Sequence, residues 1–239
     1  MAQDISEDCY HDAITSPRAP MHREVFPRWT PPPQTPRLSE EHIDIWRIDL
    51  TAASREPYRG PAPPGVNSFG GLPRAHAHKA MNEILAGYLD CPASELQFGV
   101  RPGGKPYLNT AGQPLEFNLS HSRDTALLAV TTGAAVGIDV ETYREIDDPL
   151  RLAHRVMSTE DCAELASLQD LERLELFLLL WTRMEARQKA IGRGIFAQPA
   201  DPALMSNFSF RPGLRRWASL SVSPAVTGCE LRFIDFSPL

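Results

Sequence analysis

Three carboxylates in this chain have the types and spacing of a site for a hard cation. Asp139 and Glu141 lie in Val136-Gly137-Ile138-Asp139-Val140-Glu141, where Val136, Ile138 and Val140 alternate with the rest. That period of two predicts a strand with its apolar set on one face and both acids on the other. Two like charges on one face repel unless a cation or solvent compensates them. The third acid, Glu185, falls late in an apolar helical run, within Trp181-Thr182-Arg183-Met184-Glu185-Ala186-Arg187-Gln188-Lys189. Oxygen ligands of this kind suit a cation that keeps its waters and shares a substrate phosphate, which describes Mg2+ better than zinc. The plainer alternative is an exposed strand face plus a helical Glu–Lys pair at i,i+4, contributing only about 0.3–0.5 kcal/mol. On spacing alone the plainer alternative is the commoner one.

Two further stretches could bind an anion. Arg101-Pro102-Gly103-Gly104-Lys105-Pro106 reads as a turn presenting Lys105, whose charge and neighbouring backbone N–H groups could meet a phosphate. Phe117-Asn118-Leu119-Ser120-His121-Ser122 reads as a strand ending in polar residues. Adjacent strand residues point to opposite faces, so Ser120 and His121 do not form a nucleophile–base pair. His121 suits a phosphate donor, or a hydrogen-bonded residue at a strand end.

These residues need elements to position them. Alternation predicts a first strand over His42 to Leu50, with Trp46 out of step, and an apolar stripe of Met81, Ile84, Leu85, Tyr88 and Leu89 predicts a helix from about Pro73 to Leu89. A short strand is expected at Leu96 to Val100, an apolar run covers Ala126 to Val130, and a short helix is expected at Pro149 to Met157. Ser158 with Asp161 three residues later marks a capped helix start. Leu174, Phe177, Leu178, Trp181 and Glu185 share a helical face over Leu171 to Ile191, and Gly192-Arg193-Gly194 ends that helix. Strands are expected at Asn207–Phe210, Arg216–Val222 and Cys229–Ile234. Residues 1–40 form a proline-rich arm expected to run extended over the surface, and Glu56 to Gly71 reads as loop. With a boundary near Thr132-Gly133-Ala134, the pattern divides into two α+β lobes, 41–134 and 135–239, with the acid strand at their junction.

The bulk properties narrow the class. A chain of 239 residues with a formal charge of -6 lacks the basic excess of a general nucleic-acid binder. No apolar run is long enough to span a bilayer, so no membrane role is expected. Four cysteines without CxxC spacing exclude a zinc-finger pattern and point to a reducing cytoplasm. The N-terminal stretch shows no basic segment leading into an apolar one, so no secretory signal is expected.

Taken together, the motifs resemble the surfactin-type 4'-phosphopantetheinyl transferases. Gly104-Lys105-Pro106, Phe117 to Ser122, Gly137 to Glu141, and Trp181-Thr182-x-x-Glu185-Ala186-x-x-Lys189 with Gly192-x-Gly194 occur in that family's order, across roughly His42 to Ile195. The resemblance implies a pseudo-twofold pair of α/β lobes with the active site in the cleft between them. It implies that coenzyme A is the co-substrate and an apo acyl or peptidyl carrier protein the partner, served by a monomer. It further implies that Asp139, Glu141 and Glu185 hold Mg2+, that Glu185 takes the serine proton, and that Lys189 steadies the pyrophosphate. Lys105, Pro106, Ser120, His121, Arg74 and His78 would bind the coenzyme. The chain departs from the family at Met184, where a lysine is usual, and at His78 and Asn82, where arginines are usual, with Arg74 and Lys79 as possible substitutes. Arg183, Arg187 and Arg193 are candidates for docking an acidic carrier.

Overall fold

Strand β1 (His42–Asp49) is buried on both faces, which explains why its apolar residues change phase at Trp46. Ile43 and Ile45 point into one core, Trp46 and Ile48 into another. A strand wanted on both sides takes the middle of a sheet. In the computed structural model, which describes residues 25–51, 71–110, 115–194, 196–197, 201–226 and 228–236, β1 lies between an antiparallel and a parallel neighbour. On one side are β5 (Thr125–Thr132) and then β4 (Leu115–Ser122); on the other is β9 (Glu230–Phe236), with Ile45 opposite Phe233.

A second sheet has the order β6 (Ala135–Thr142), β8 (Arg216–Ser223), β7 (Ser206–Phe210), all antiparallel, with Asp139 opposite Ser219. A small hairpin pairs β2 (Phe98–Val100) with β3 (Pro106–Leu108). The expected division at about 134 is therefore crossed by the final strand, which leaves the second sheet's side of the sequence to complete the first sheet.

Three apolar clusters hold these layers. Helix α1 (Gly71–Leu89) lays Ala77, Met81, Ile84 and Leu85 over Trp46, Leu128 and Val130 of the first sheet. The other face of that sheet, through Ile43, Ile45 and Leu127, shares a core with Val136, Ile138, Val140, Phe208 and Leu220 of the second. The third cluster joins helices α2 (Pro149–Val156), α3 (Thr159–Ser167) and α4 (Asp170–Ala190). Asp148 caps α2, accepting from Arg151 N at 2.9 Å with Pro149 at the first position. The expected capping box is present: the Ser158 hydroxyl accepts from Asp161 N, and the Asp161 carboxylate from Ser158 N.

Residues 25–40 of the arm are extended but docked rather than loosely laid. Thr30 bridges to Ile234 of β9, and the Trp29 ring meets Phe233 edge-on at 5.4 Å with the Arg47 guanidinium 4.3 Å over it. The Val25 carbonyl accepts from Arg211 N at 2.8 Å, so the arm touches the ends of both β9 and β7. The expected loop at Glu56 to Gly71 and residues 1–24 of the arm lie outside the described residues, except for Gly71 at the start of α1. Fully buried Asp44 accepts from Arg232 Nε at 2.6 Å and Nη2 at 2.7 Å and from the Tyr88 hydroxyl.

Candidate active site

The acid strand β6 is an edge strand, and its outward backbone groups would be left unpaired without special provision. Side chains from the first half of the sequence provide it. The Val136 carbonyl accepts from Lys105 Nζ at 2.8 Å. Along β4, alternate residues then meet alternate N–H groups: Asn118 Oδ1 accepts from Ile138 N at 2.8 Å, Ser120 Oγ from Val140 N at 3.4 Å, and Ser122 Oγ from Thr142 N at 3.0 Å. Two strands of period two thus lie side by side, joined by side chains instead of a backbone ladder.

Lys105 is consequently not the presented lysine expected from its turn. It is buried, and Nζ also donates to the Ala190 carbonyl at 3.0 Å, at the end of α4 where a cation is favoured. Burial lowers its pKa, with Arg101 adding to the effect and Glu116 opposing it. The positive charge that sequence reasoning offered to a phosphate is spent on two carbonyls. Pro106 begins β3 beside it, and Gly103 of the same turn abuts the Gly192 carbonyl so closely that a Cβ would overlap it.

On its other face β6 meets α4. Gly137 shares the face of Asp139 and Glu141, and its missing side chain lets the helix backbone at Ala186 and Ala190 approach closely. That approach sets Glu185 and Lys189, one turn apart, over the acid strand. Lys189 Nζ lies 2.5 Å from Asp139 Oδ1, 3.3 Å from Glu185 Oε2 and 3.2 Å from Ser120 Oγ. Ser120 Oγ donates to Asp139 Oδ1 at 2.8 Å, and Ser122 Oγ to Glu141 Oε2 at 3.1 Å.

The electrostatics record a surplus of negative charge. Burial, then the neighbouring Asp139, raises the Glu185 carboxyl to about 7 against the pull of Lys189. Burial and Asp139 likewise raise Glu141. Burial acts to lower Lys189, but Asp139 and Glu185 prevail and its pKa rises.

The expected cation triad is not preassembled: among the described residues, no group of three or more His, Cys, Asp or Glu side chains could hold a metal ion as it stands. The physical reason is Lys189, whose ammonium supplies the local positive charge between Asp139 and Glu185. The donor chemistry still fits a hard cation. Asp139 Oδ2 is buried without a hydrogen-bond partner, an open acceptor that costs free energy unless something charged or polar meets it.

A second group gathers beside this one. Arg74, His78 and Asn82 recur every four residues along α1, so they share a face of that helix. His121 of β4 lies within electrostatic reach of Arg74, His78 and Lys189. Burial first, then Arg74 and His121, hold His78 down at about 4, and burial, Arg74 and Lys189 lower His121. His78 Nδ1 and Asn82 Oδ1 are both buried and without partners. Ser120 and His121 point to opposite faces as expected, the first buried and the second only partly covered. Lys79 does not join the group: it is exposed and pairs with Glu83 at 3.8 Å. Met184 is buried. Arg183 is held by Ser209 Oγ at 2.9 Å and Arg187 lies near Asp161, so neither is a free surface cation. Sequence reasoning missed Asn118 and Ser122 as partners of the acid strand; the shared period of two in β4 and β6 was the available signal.

Residues 135–225, which hold the acid strand and α4, match the family model of the 4'-phosphopantetheinyl transferase superfamily. The chain is 31% identical to the 4'-phosphopantetheinyl transferase HetI of a Nostoc species over 179 residues, 70% of this chain and 76% of that protein. It is 40% identical to the 4'-phosphopantetheinyl transferase AcpT of Salmonella typhimurium over 101 residues, 42% of this chain and 51% of that one. With the 4'-phosphopantetheinyl transferase psf-1 of Bacillus pumilus the identity is 38% over 105 residues, 44% of this chain and 43% of the other. The chain belongs to the 4'-phosphopantetheinyl transferase superfamily.

Proposed function

We propose that this protein transfers the 4'-phosphopantetheine group of coenzyme A to a serine of an apo acyl or peptidyl carrier protein. The observation that carries the reading is the convergence of Asp139, Glu185 and Lys189 in one hydrogen-bonded group beside the Arg74, His78 and His121 cluster. In phosphoryl transfer the protein mainly positions reactants and neutralises charge. A carboxylate and a lysine one helical turn apart, flanked by groups suited to phosphate, meet that need.

In this reading Arg74, His121 and His78 bind the phosphates of coenzyme A, and Lys189 leaves Asp139 to meet the pyrophosphate. The carrier serine oxygen bonds to the phosphorus that carries the pantetheine arm. The P–O bond within the pyrophosphate breaks, and 3',5'-ADP leaves with that electron pair. Glu185, with its proton affinity raised to about 7, takes the serine proton directly or through a water. Asp139, Glu141 and Glu185 would hold Mg2+, which when bound withdraws charge from the pyrophosphate oxygens. In this reading the two lobes, 41–134 and 135–239, with β9 of the second completing the sheet of the first, form a pseudo-twofold pair with this site in the cleft between them. The reading takes the protein as a cytoplasmic monomer; no helix among the described residues is long and apolar enough to cross a membrane.

The test is the intact mass of apo fatty-acid, polyketide and peptide carrier proteins after incubation with this protein, coenzyme A and Mg2+. A gain of one phosphopantetheine, absent with Asp139→Ala, is the expected result. No gain on any carrier, from a folded protein, would overturn the reading.

A further inference from the structure

Each carboxylate of the acid strand is held by its own serine, and the two arrangements repeat. The Ser120 hydroxyl accepts from Val140 N and donates to the carboxylate of the preceding residue, Asp139. The Ser122 hydroxyl accepts from Thr142 N and donates to the carboxylate of the preceding residue, Glu141. A hydroxyl has one donor and two acceptor sites. Once a backbone N–H occupies one lone pair, the rotation of the O–H is constrained and the proton is aimed at the acid.

The consequence falls on the other oxygen of each acid. Asp139 spends Oδ1 on Ser120 and Lys189, and Oδ2 is buried and free. Glu141 spends Oε2 on Ser122, and Oε1 meets Arg144 at 3.5 Å, an arginine whose side chain is 52% exposed. Asn118, first in the same row, also accepts from the backbone of β6 at Ile138 N, but among the described residues hydrogen-bonds no carboxylate. The row therefore contains two serines that do two jobs and an asparagine that does one.

We propose that Ser120 and Ser122 are positioning residues, which fix the rotamers of Asp139 and Glu141 so that one oxygen of each stays available to a divalent cation. This rests on the reading that Asp139 and Glu141 hold such a cation. Partners that orient metal ligands typically change metal affinity by about 10–100-fold when removed. A role limited to joining β4 to β6, the role Asn118 has in this row, would instead change stability and leave affinity alone.

The experiment measures Mn2+ binding to the full-length protein by electron paramagnetic resonance, together with thermal midpoint. The variants are Ser122→Ala, Ser122→Thr and Asn118→Ser. Ser122→Ala is expected to weaken Mn2+ binding about tenfold and to lower the midpoint modestly through the lost acceptor for Thr142 N. Ser122→Thr, which keeps the hydroxyl, restores the affinity, and Asn118→Ser leaves it unchanged. Should Ser122→Ala not fold, Ser122→Cys, close in size and a weak donor, carries the same expectation. Unchanged Mn2+ affinity in a folded Ser122→Ala or Ser122→Cys protein overturns the proposal alone. Absence of Mn2+ binding by the unsubstituted protein overturns the cation reading and this proposal with it.

Discussion

Gly137 of β6 lies so close under Ala186 of α4 that no side chain fits between strand and helix: a Cβ there would overlap the Ala186 carbonyl and the Ala190 nitrogen. This contact sets the height of the helix over the acid strand. It thereby sets the reach of Glu185 and Lys189 to Asp139.

Gly137→Ala is accordingly expected to cost about 1–3 kcal/mol of stability, as small-to-large changes in packed interiors do. Backbone cannot yield as a flexible side chain can, and a lifted α4 carries Lys189 away from Asp139. Chemical denaturation and carrier-modification rate, measured on the same preparation, check both effects. A fully active variant of unchanged stability contradicts the close packing.

The raised Glu185 carboxyl gives a signed pH dependence. Its folded pKa of about 7 exceeds the ordinary 4.5, so the folded chain binds this proton more tightly than the unfolded one. The associated stability is fully present below 4.5 and is lost as pH rises through about 7. A falling denaturation midpoint across that window, flattened in Glu185→Gln, is the expected result. If Glu185 is the base, kcat/KM rises through the same region in the unsubstituted protein and the limb disappears in the variant.

Lys189→Met removes the ammonium that lies between Asp139 and Glu185. Leaving a buried charge unpaired costs about 3–5 kcal/mol, less here because Glu185 can take up a proton instead. The Glu185 pKa is expected to move above about 7, read by carbon-13 NMR of the carboxyl. A Glu185 pKa that falls would show that Lys189 does not stabilise the ionised form.

His78, held at about 4, brings no charge to the phosphate cluster near neutral pH. His78→Arg is expected to lower the KM for coenzyme A severalfold, an advantage that shrinks with added salt. An unchanged KM would remove His78 from the nucleotide site. Met184→Lys has the opposite outlook: the side chain is buried, so the new ammonium costs stability, seen as a lower thermal midpoint.

Much of this architecture was legible because it is local. Alternation marked β1 and β6, a strand was read at Phe117 to Ser122 in β4, an apolar run fell within β5, and the Ser158–Asp161 capping box set the start of α3. The phase change at Trp46 was visible but needed two cores to explain it. The position of β9 beside β1 was not legible, since pairing across most of the chain leaves no local pattern. Lys105 was misread for a related reason. A glycine turn shows where a lysine starts, while the two carbonyls that capture its ammonium lie 31 and 85 residues further on. The seam between β4 and β6 depends on the same kind of long-range register. Short β3 at Pro106–Leu108 was hidden by the proline at its head.

The parallel strand β9 also has a consequence for synthesis. Asp44 emerges from the ribosome 188 residues before Arg232, its bidentate partner. Until then β1 has an open edge, and among the described residues a carboxylate destined for complete burial has only Tyr88 to meet it. Long-range pairing of this sort folds slowly and exposes strand edges to neighbouring chains. Nascent chains stalled before Glu230 should therefore recruit chaperones and resist folding, while a version with β9 moved ahead of β1 should mature during translation.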